Sequence, residues 1–327
     1  MKAAITGATG LVGANLAVAL AERGHVVRCT RRSSSRIDHL AAFGFEWAEA
    51  DLRDADALTR AFEGCEAVFH CAAVVDIHPK PTPLMQAVNV GGTANVLQAV
   101  RAAGVRRLVH CSSVVTVGVS EDGRPVDETA PFNHDRFGLD DGYVLTKREA
   151  EALVLAAEDV DAVVINPTYM FGPYDARPSS GRMIVEIAQG RIPFSSSGVN
   201  NFVDVRAVAA GAVAAFERGR RGERYILGDA DMRYDEVMAL IAEVLGVRGP
   251  RAVCPSWLAG AAGLAGDLAW RLTGKEPMIH GNTVRWGYAQ GARYDSAKAI
   301  AELGYAPGAV REGVAAAVAW FRQVGMI

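Results

Sequence analysis

Tyr143 and Lys147, in the segment YVLTK, stand four residues apart, and on a helix that spacing puts both side chains on one face. A phenol exchanges protons poorly at neutral pH because its pKa is about 10, and a neighbouring ammonium lowers that value by stabilising the phenolate. Such a pair can pass a proton to or from a carbonyl or alcohol oxygen while a hydride moves at carbon. Ser112 and Ser113 close the run VHCSS, and a hydroxyl from either, at the carboxyl end of a strand, would orient the same oxygen. The Tyr-x-x-x-Lys pattern is weak by itself, since Tyr294 and Lys298 in YDSAK match it too. Position separates the two: Tyr143 follows the serine run, whereas Tyr294 lies in the C-terminal part of the chain.

A hydride needs a carrier. Residues 6–13 read TGATGLVG, with Gly7, Gly10 and Gly13 between a predicted strand and a predicted helix. Gly7 permits a tight turn, Gly10 lets the backbone approach a pyrophosphate, and Gly13 allows the helix to pack closely on the strand. Thr9, Leu11 and Val12 are counted with them as cofactor contacts, and the helix N-terminus offers unpaired N–H groups to the anion. An Asp or Glu about 20 residues on would bind a ribose 2′-hydroxyl. Here the second strand and its exit read HVVRCTRRSSSR, with Thr30 in that place and Arg28, Arg31, Arg32 and Arg36 around it. A carboxylate would repel a 2′-phosphate, whereas a guanidinium binds it through paired hydrogen bonds. The arginines favour NADP(H); read as a merely solvated loop, they leave NAD(H) open.

The elements that must position these groups follow the rhythm of a parallel sheet. Strands are predicted at 3–6, 25–29, 45–48, 67–71, 107–112 and 162–166, with helices at 11–23, after Asp54, at 84–103 and from about Tyr143. After Pro167 the rhythm breaks at the Pro/Gly/Ser-rich segments 172–181 and 193–201, and a helix at 205–218 and a strand at 224–227 return the chain to the sheet. The fold class is α/β: a Rossmann-type doubly wound parallel sheet with a smaller, mostly helical C-terminal substrate-binding cap. Residues 1–167 with the return 202–227 form the dinucleotide-binding domain; 168–201 and 228–327 form the cap, read as two or three helices with too few strands for a sheet of their own.

The 327 residues carry a net charge of −3 and are 50% hydrophobic, which argues against disorder and against a nucleic-acid footprint. Five cysteines, at 29, 65, 71, 111 and 254, form no CxxC pair and no metal-ligand spacing, and so fit a reducing cytosol with no bound metal. No basic n-region and apolar h-region open the chain, so a cytoplasmic protein is expected. The stretch 257–272 is shorter than the roughly 20 residues of a spanning helix and carries Asp267 and Arg271; it reads as a buried or cleft-lining helix, although exposure of its apolar face would favour a membrane interface. His70 and His110 read as core or cleft-wall residues and His78 as a solvated loop histidine. Tyr169, Met170, Phe171, Trp257 and Trp286 read as core before pocket lining.

TGATGLVG, Asp51-Leu52, FHCAA at 69–73, Asn89 in NVGGT, CSS at 111–113, YVLTK and NPTYMFGP at 166–173 together resemble an extended short-chain dehydrogenase/reductase over essentially the whole chain. VRCTRR and NPT look most like the dihydroflavonol-4-reductase-like branch, and GRMIVEIAQGRIPF with FVDVRAVAAGAVAAFERGRRGERYILG also resembles hopanoid-associated sugar-epimerase-like members. The resemblance implies an NADP-linked carbonyl/alcohol oxidoreductase acting on a small apolar or aromatic molecule, with Ser113, Tyr143 and Lys147 as its catalytic set. It further implies Asp51 and Leu52 at the adenine, Ala72 and Ala73 beside the ribose and pyrophosphate, Lys147 on the nicotinamide ribose and Pro167 against the nicotinamide. A homodimer through helices 84–103 and 143–158 is implied as well. Where many relatives read VDD, this chain has Val205-Arg206-Ala207, which bears on cleft contacts and not on hydride chemistry. The competing readings are an NAD-dependent nucleotide-sugar epimerase or dehydratase, for which Arg177, Arg182, Arg191 and Arg206 could hold a diphosphate, and a non-catalytic NADP(H)-binding regulator.

Overall fold

The computed structural model describes residues 1–327 apart from 77, 276 and 278; residue 77 falls in the predicted 74–83 loop and the other two in the cap, so those parts of the sequence reading lie outside the described residues. Seven parallel strands form the main sheet: β1 (Lys2–Thr6), β2 (Val26–Arg31), β3 (Glu46–Glu49), β4 (Ala67–His70), β5 (Arg107–Cys111), β6 (Ala162–Pro167) and, out of sequence, β9 (Arg224–Leu227). Their order across the sheet is β3-β2-β1-β4-β5-β6-β9, so the chain reverses direction across the sheet between β1 and β4. Ligands bind at that kind of switch point, outside the carboxyl ends of the strands.

The central strands are apolar on both faces because helices cover both. Helices Leu11–Glu22 and Val205–Arg218 bury Leu16, Leu20, Val208 and Phe216 against Ile5, Phe69 and Val109. On the other face, helices Ala55–Phe62, Gly92–Ala102 and Gly142–Leu155 bury Leu58, Val96 and Val154 against Val68, Leu108 and Val164. The predicted helix 84–103 begins at Pro83, capped by Thr82 Oγ1 on the Met85 amide, and contains a π-helical turn at Gln86–Gly91.

The cap departs from the sequence reading in its sheet, in its number of helices and in the exposure of one of them. It has a sheet of its own, because strands β7 (Tyr169–Phe171), β8 (Val199–Asp204) and β10 (Ala230–Arg233), far apart in sequence, pair in the order β10-β8-β7. Helices Arg182–Ala188, Tyr234–Leu245 and Val310–Gln323 close over it around Phe171, Phe202, Ile241 and Phe321. Residues 228–327 hold five helices among the described residues, where two or three were expected. The third departure is the helix Ser256–Thr273, which is not buried: Gly263 alone is buried along it, and Trp257, Leu264 and Leu272 are 74%, 72% and 77% exposed. Gly263 and Asp267 seat it on the segment that begins at Gly281, and its leucines face outward. Among the described residues no helix is long and apolar enough to cross a membrane.

The tightest point of the fold lies under the glycine loop. A Cβ on Gly13 would sit 2.3 Å from the Gly7 carbonyl oxygen, and one on Gly7, whose φ is +74°, would sit 2.6 Å from the Ala72 nitrogen. Gly13→Ala is therefore expected to overpack backbone against backbone and to lower stability by about 1–3 kcal/mol. A urea unfolding curve superimposable on that of the wild type would show that the loop yields freely.

Candidate active site

The glycine loop leads from β1 into the helix Leu11–Glu22, whose N-cap is Gly10. No side chain caps this end, and the first turn's amides stay available to an anion. Gly10 is exposed, with Gly7 O, 3.4 Å from where its Cβ would stand, as the nearest atom. Ala72 and Ala73 follow β4 directly across from this loop, and the Ala72 amide lies 3.4 Å from Thr6 Oγ1. This open, amide-lined cradle with tight glycine packing beneath it fits a dinucleotide pyrophosphate.

At the adenosine side the predicted arginines separate. Arg28 does not face the loop: its Nε donates to Glu46 Oε2 at 3.0 Å and its Nη1 to the carbonyls of Ala61 and Glu63, which ties β2 to β3 and to the end of helix Ala55–Phe62. These bonds hold its guanidinium against Glu46 and the end of that helix, so its expected role at a 2′-phosphate is corrected to a structural one. Arg31 ends β2, and Arg32 follows it, exposed. The positive charge of Arg32 acts on the Asp51 carboxylate, although the paired hydrogen bonds from Arg53 are the larger cause of its pKa falling to about 2. Leu52 packs against Gly92, and its carbonyl accepts from Asn95 at 2.8 Å.

Tyr143, Lys147 and Glu151 form one stripe of helix Gly142–Leu155. Asp141 caps this helix with Oδ1 on the Val144 amide at 3.0 Å, and the Gly142 amide donates to the His78 carbonyl at 2.8 Å. Ser113 is the serine whose side chain acts on the Tyr143 phenol, while Ser112 is buried and its amide is used in pairing with Ile165. Of the two serines, Ser113 is thus the one brought to the tyrosine. Lys147 is buried, with Nζ donating to the Cys111 carbonyl at 2.8 Å, and burial lowers its pKa. Burial raises the pKa of Tyr143 and Ser113 acts against it.

Three buried polar groups beneath the pair were missed as site residues. Glu151 Oε2 accepts from Thr116 Oγ1 and Asn166 Nδ2, both at 2.7 Å, and its Oε1 pairs with Arg224 at 3.0 Å. Asn166 also donates to the Ser113 carbonyl at 3.0 Å, so this network holds the serine's backbone. Asn89, in the π-helical turn, binds both the amide and the carbonyl of Val74 and reaches Thr146. The spacing 143, 147, 151 was the available signal for Glu151. Pro167 closes β6 beside Leu227.

The remaining candidates are structural. His70 bridges Thr6 Oγ1 at 2.7 Å and Thr93 Oγ1 at 3.0 Å, and burial, then the charge of Lys147, pushes it down to about 3, hence neutral. His110 packs beside it, with ring centroids 5.1 Å apart and the rings tilted by 44°. Lys298 Nζ is held by Glu223 and the Arg224 carbonyl, and Tyr294 is buried, so that second Tyr/Lys pair forms no site. Tyr169 and Phe171 pack in the cap core, and Trp286 donates to Asp141 Oδ2 at 2.9 Å. Arg182 and Arg191 both pair with Glu186, and Arg206 pairs with Asp204. Among the described residues no group of three or more His, Cys, Asp or Glu could hold a metal ion.

Residues 3–228 match the model of the NAD dependent epimerase/dehydratase family. A Synechocystis sp. protein carrying a dihydroflavonol 4-reductase name is 34% identical over 330 residues, covering 99% of this chain and 95% of its own. Sterol demethylase protein B of Methylococcus capsulatus is 36% identical, covering 100% of each. A solved structure of a nucleoside-diphosphate-sugar epimerase from Pseudomonas aeruginosa superposes with a TM-score of 0.79 at 28% identity, covering 100% of this chain and 99% of that one.

Glu151→Gln removes the charge facing Arg224 and weakens the acceptor for Thr116 and Asn166. It is expected to cost about 2 kcal/mol of stability, read as a lower urea midpoint, with cofactor affinity unchanged because the glycine loop is untouched. An unchanged midpoint would mean that the network holds nothing.

Proposed function

The chain belongs to the NAD dependent epimerase/dehydratase family, the extended short-chain dehydrogenases/reductases, and is an oxidoreductase; from that premise we propose that it is an NADP-linked enzyme interconverting a ketone and an alcohol on an apolar small molecule. The observation that carries this reading is the helix stripe of Tyr143 and the buried Lys147, whose Nζ donates to the Cys111 carbonyl at 2.8 Å, two residues before Ser113. When bound, the nicotinamide supplies or receives the hydride. Ser113 orients the substrate oxygen, and Tyr143 gives that oxygen its proton as negative charge develops on it. Lys147 carries positive charge one turn along the same helix and would contact the ribose of a bound nicotinamide, against which Pro167 would lie.

The cofactor would lie with its pyrophosphate on the amides of the Gly7–Gly13 loop, including Thr9, Leu11 and Val12. Its ribose would meet Ala72 and Ala73, and its adenine Asp51 and Leu52. Arg31 and Arg32, directly after Thr30, are the guanidiniums left for a 2′-phosphate. Against the nucleotide-sugar reading, Arg182, Arg191 and Arg206 are already paired with carboxylates. The sterol named for one relative agrees with an apolar substrate. A cytoplasmic homodimer joined through helices Gly92–Ala102 and Gly142–Leu155 completes the reading.

Two measurements test it. The purified protein should hold little cofactor and should bind NADPH at least about tenfold more tightly than NADH, the worth of one charge-assisted hydrogen bond. Replacing Arg31 and Arg32 by Ala should erase that preference. Near-stoichiometric retained NAD would instead move the search to nucleotide sugars. Tyr143→Phe should lower kcat for ketone reduction by about 10²–10⁴ and leave NADPH affinity intact; a variant as fast as the wild type would remove Tyr143 from the mechanism.

A further inference from the structure

The helix Ser256–Thr273 reverses the usual surface pattern, turning its apolar residues outward and its small and polar ones inward. At 100° per residue, Trp257, Leu258, Leu264, Leu268 and Leu272 fall with Ala261, Ala262, Ala265 and Ala269 in an arc of about 160°. All nine are exposed. The opposite side packs on helix Gly281–Tyr288: Gly263 approaches Gly281 and Val284, and Asp267 Oδ1 accepts from the Gly281 amide at 3.1 Å. A contiguous exposed apolar face of this kind marks a binding surface.

Charge at its borders says what that surface meets. Residues 246–275 contain four basic side chains, Arg248, Arg251, Arg271 and Lys275, all exposed, in a chain whose net charge is −3. The single acid in that stretch, Asp267, is the one turned inward to Gly281; Glu276, next in sequence, lies outside the described residues. An exposed apolar helix face with cations on both sides of it in the sequence and a tryptophan in its first turn is the composition of a helix lying in the headgroup region of an anionic bilayer. The same helix adjoins the substrate side. Trp270 meets His78 edge-on at 5.3 Å, in the loop whose carbonyl receives the Gly142 amide at the start of the Tyr143 helix.

We propose that the Trp257–Leu272 face docks the enzyme on an anionic lipid surface, so that an apolar substrate passes from the lipid to the Tyr143 side of the molecule. The substrate half of this statement rests on the ketone/alcohol reading above; the docking half does not.

The test is co-sedimentation of the full chain, with NADPH present, with vesicles of phosphatidylglycerol and phosphatidylcholine and with vesicles of phosphatidylcholine alone. The wild type is expected to bind the anionic vesicles. Leu264→Glu with Leu268→Glu should weaken that binding by about tenfold or more. Arg271→Ala with Lys275→Ala should weaken it several-fold on anionic vesicles and not on neutral ones. All four side chains are exposed, so both variants should keep the wild-type melting temperature and NADPH titration. Wild-type protein left in the supernatant, or a leucine variant that binds equally well, would overturn the proposal. So would a wild-type dimer, found by sedimentation velocity without lipid, that the leucine variant dissolves, since a second copy would then cover the face. Failure of NADPH binding with vesicle capture intact would strike the nicotinamide reading alone.

Discussion

A buried ammonium keeps its charge only where oxygen surrounds it, and the rest of the site is arranged around meeting that demand for Lys147. Its bond to the Cys111 carbonyl ties helix Gly142–Leu155 to the end of β5, one residue before the two serines. Because Tyr143 lies one turn earlier on the same helix, that bond also holds the phenol's helix against the strand end that leads into Ser113. One turn later, Glu151 binds Thr116, Asn166 and Arg224, so the stripe is anchored to β5, β6 and β9 together. Charge buried for chemistry is thus also what fixes the position of the element that carries it.

The same demand explains the neutral histidines. His70 and His110 lie in adjacent strands directly opposite one another, near a fixed positive charge. Protonating either would place like charges together away from water, so burial and Lys147 act in the same direction on both. His70 then serves as a neutral bridge between Thr6 and Thr93, linking the first strand to the helix that follows Asn89. Asn89 in turn clamps Val74, so the polar chain runs from the floor of the glycine loop to the loop overhanging Tyr143.

How much of this was legible in the sequence depended on whether the constraint was local. The strand at 224–227 and the helix at 205–218 were predicted with their observed bounds, since an apolar run and a 3.6-residue period are local properties. The glycine loop was legible because Gly7 and Gly13 answer steric demands made by neighbouring backbone. Arg28 was misread because spacing along β2 does not say which face a side chain takes once Glu46 and two helix-terminal carbonyls compete for it. The cap sheet was missed because β7, β8 and β10 are short and find partners only across long separations in sequence. Helix Ser256–Thr273 was legible as a helix and not as an exposed one, because hydrophobic period fixes the face and says nothing of what that face meets.

Asp141 joins the two halves of the molecule at the point where chemistry and cap meet. One carboxylate oxygen caps the Tyr143 helix at the Val144 amide, and the other accepts from the Trp286 indole. Trp286 belongs to helix Gly281–Tyr288, which carries the glycine contact and the Asp267 bond that seat helix Ser256–Thr273. Burial raises the pKa of Asp141, and its bonds to the Val144 amide and the Trp286 indole pull the other way, so removing the indole would loosen the cap and disfavour the carboxylate's charge at once. The exposed apolar helix is therefore two packed contacts away from the first turn of the helix that holds Tyr143, and those contacts tie the seating of that helix to the cap of the Tyr143 helix.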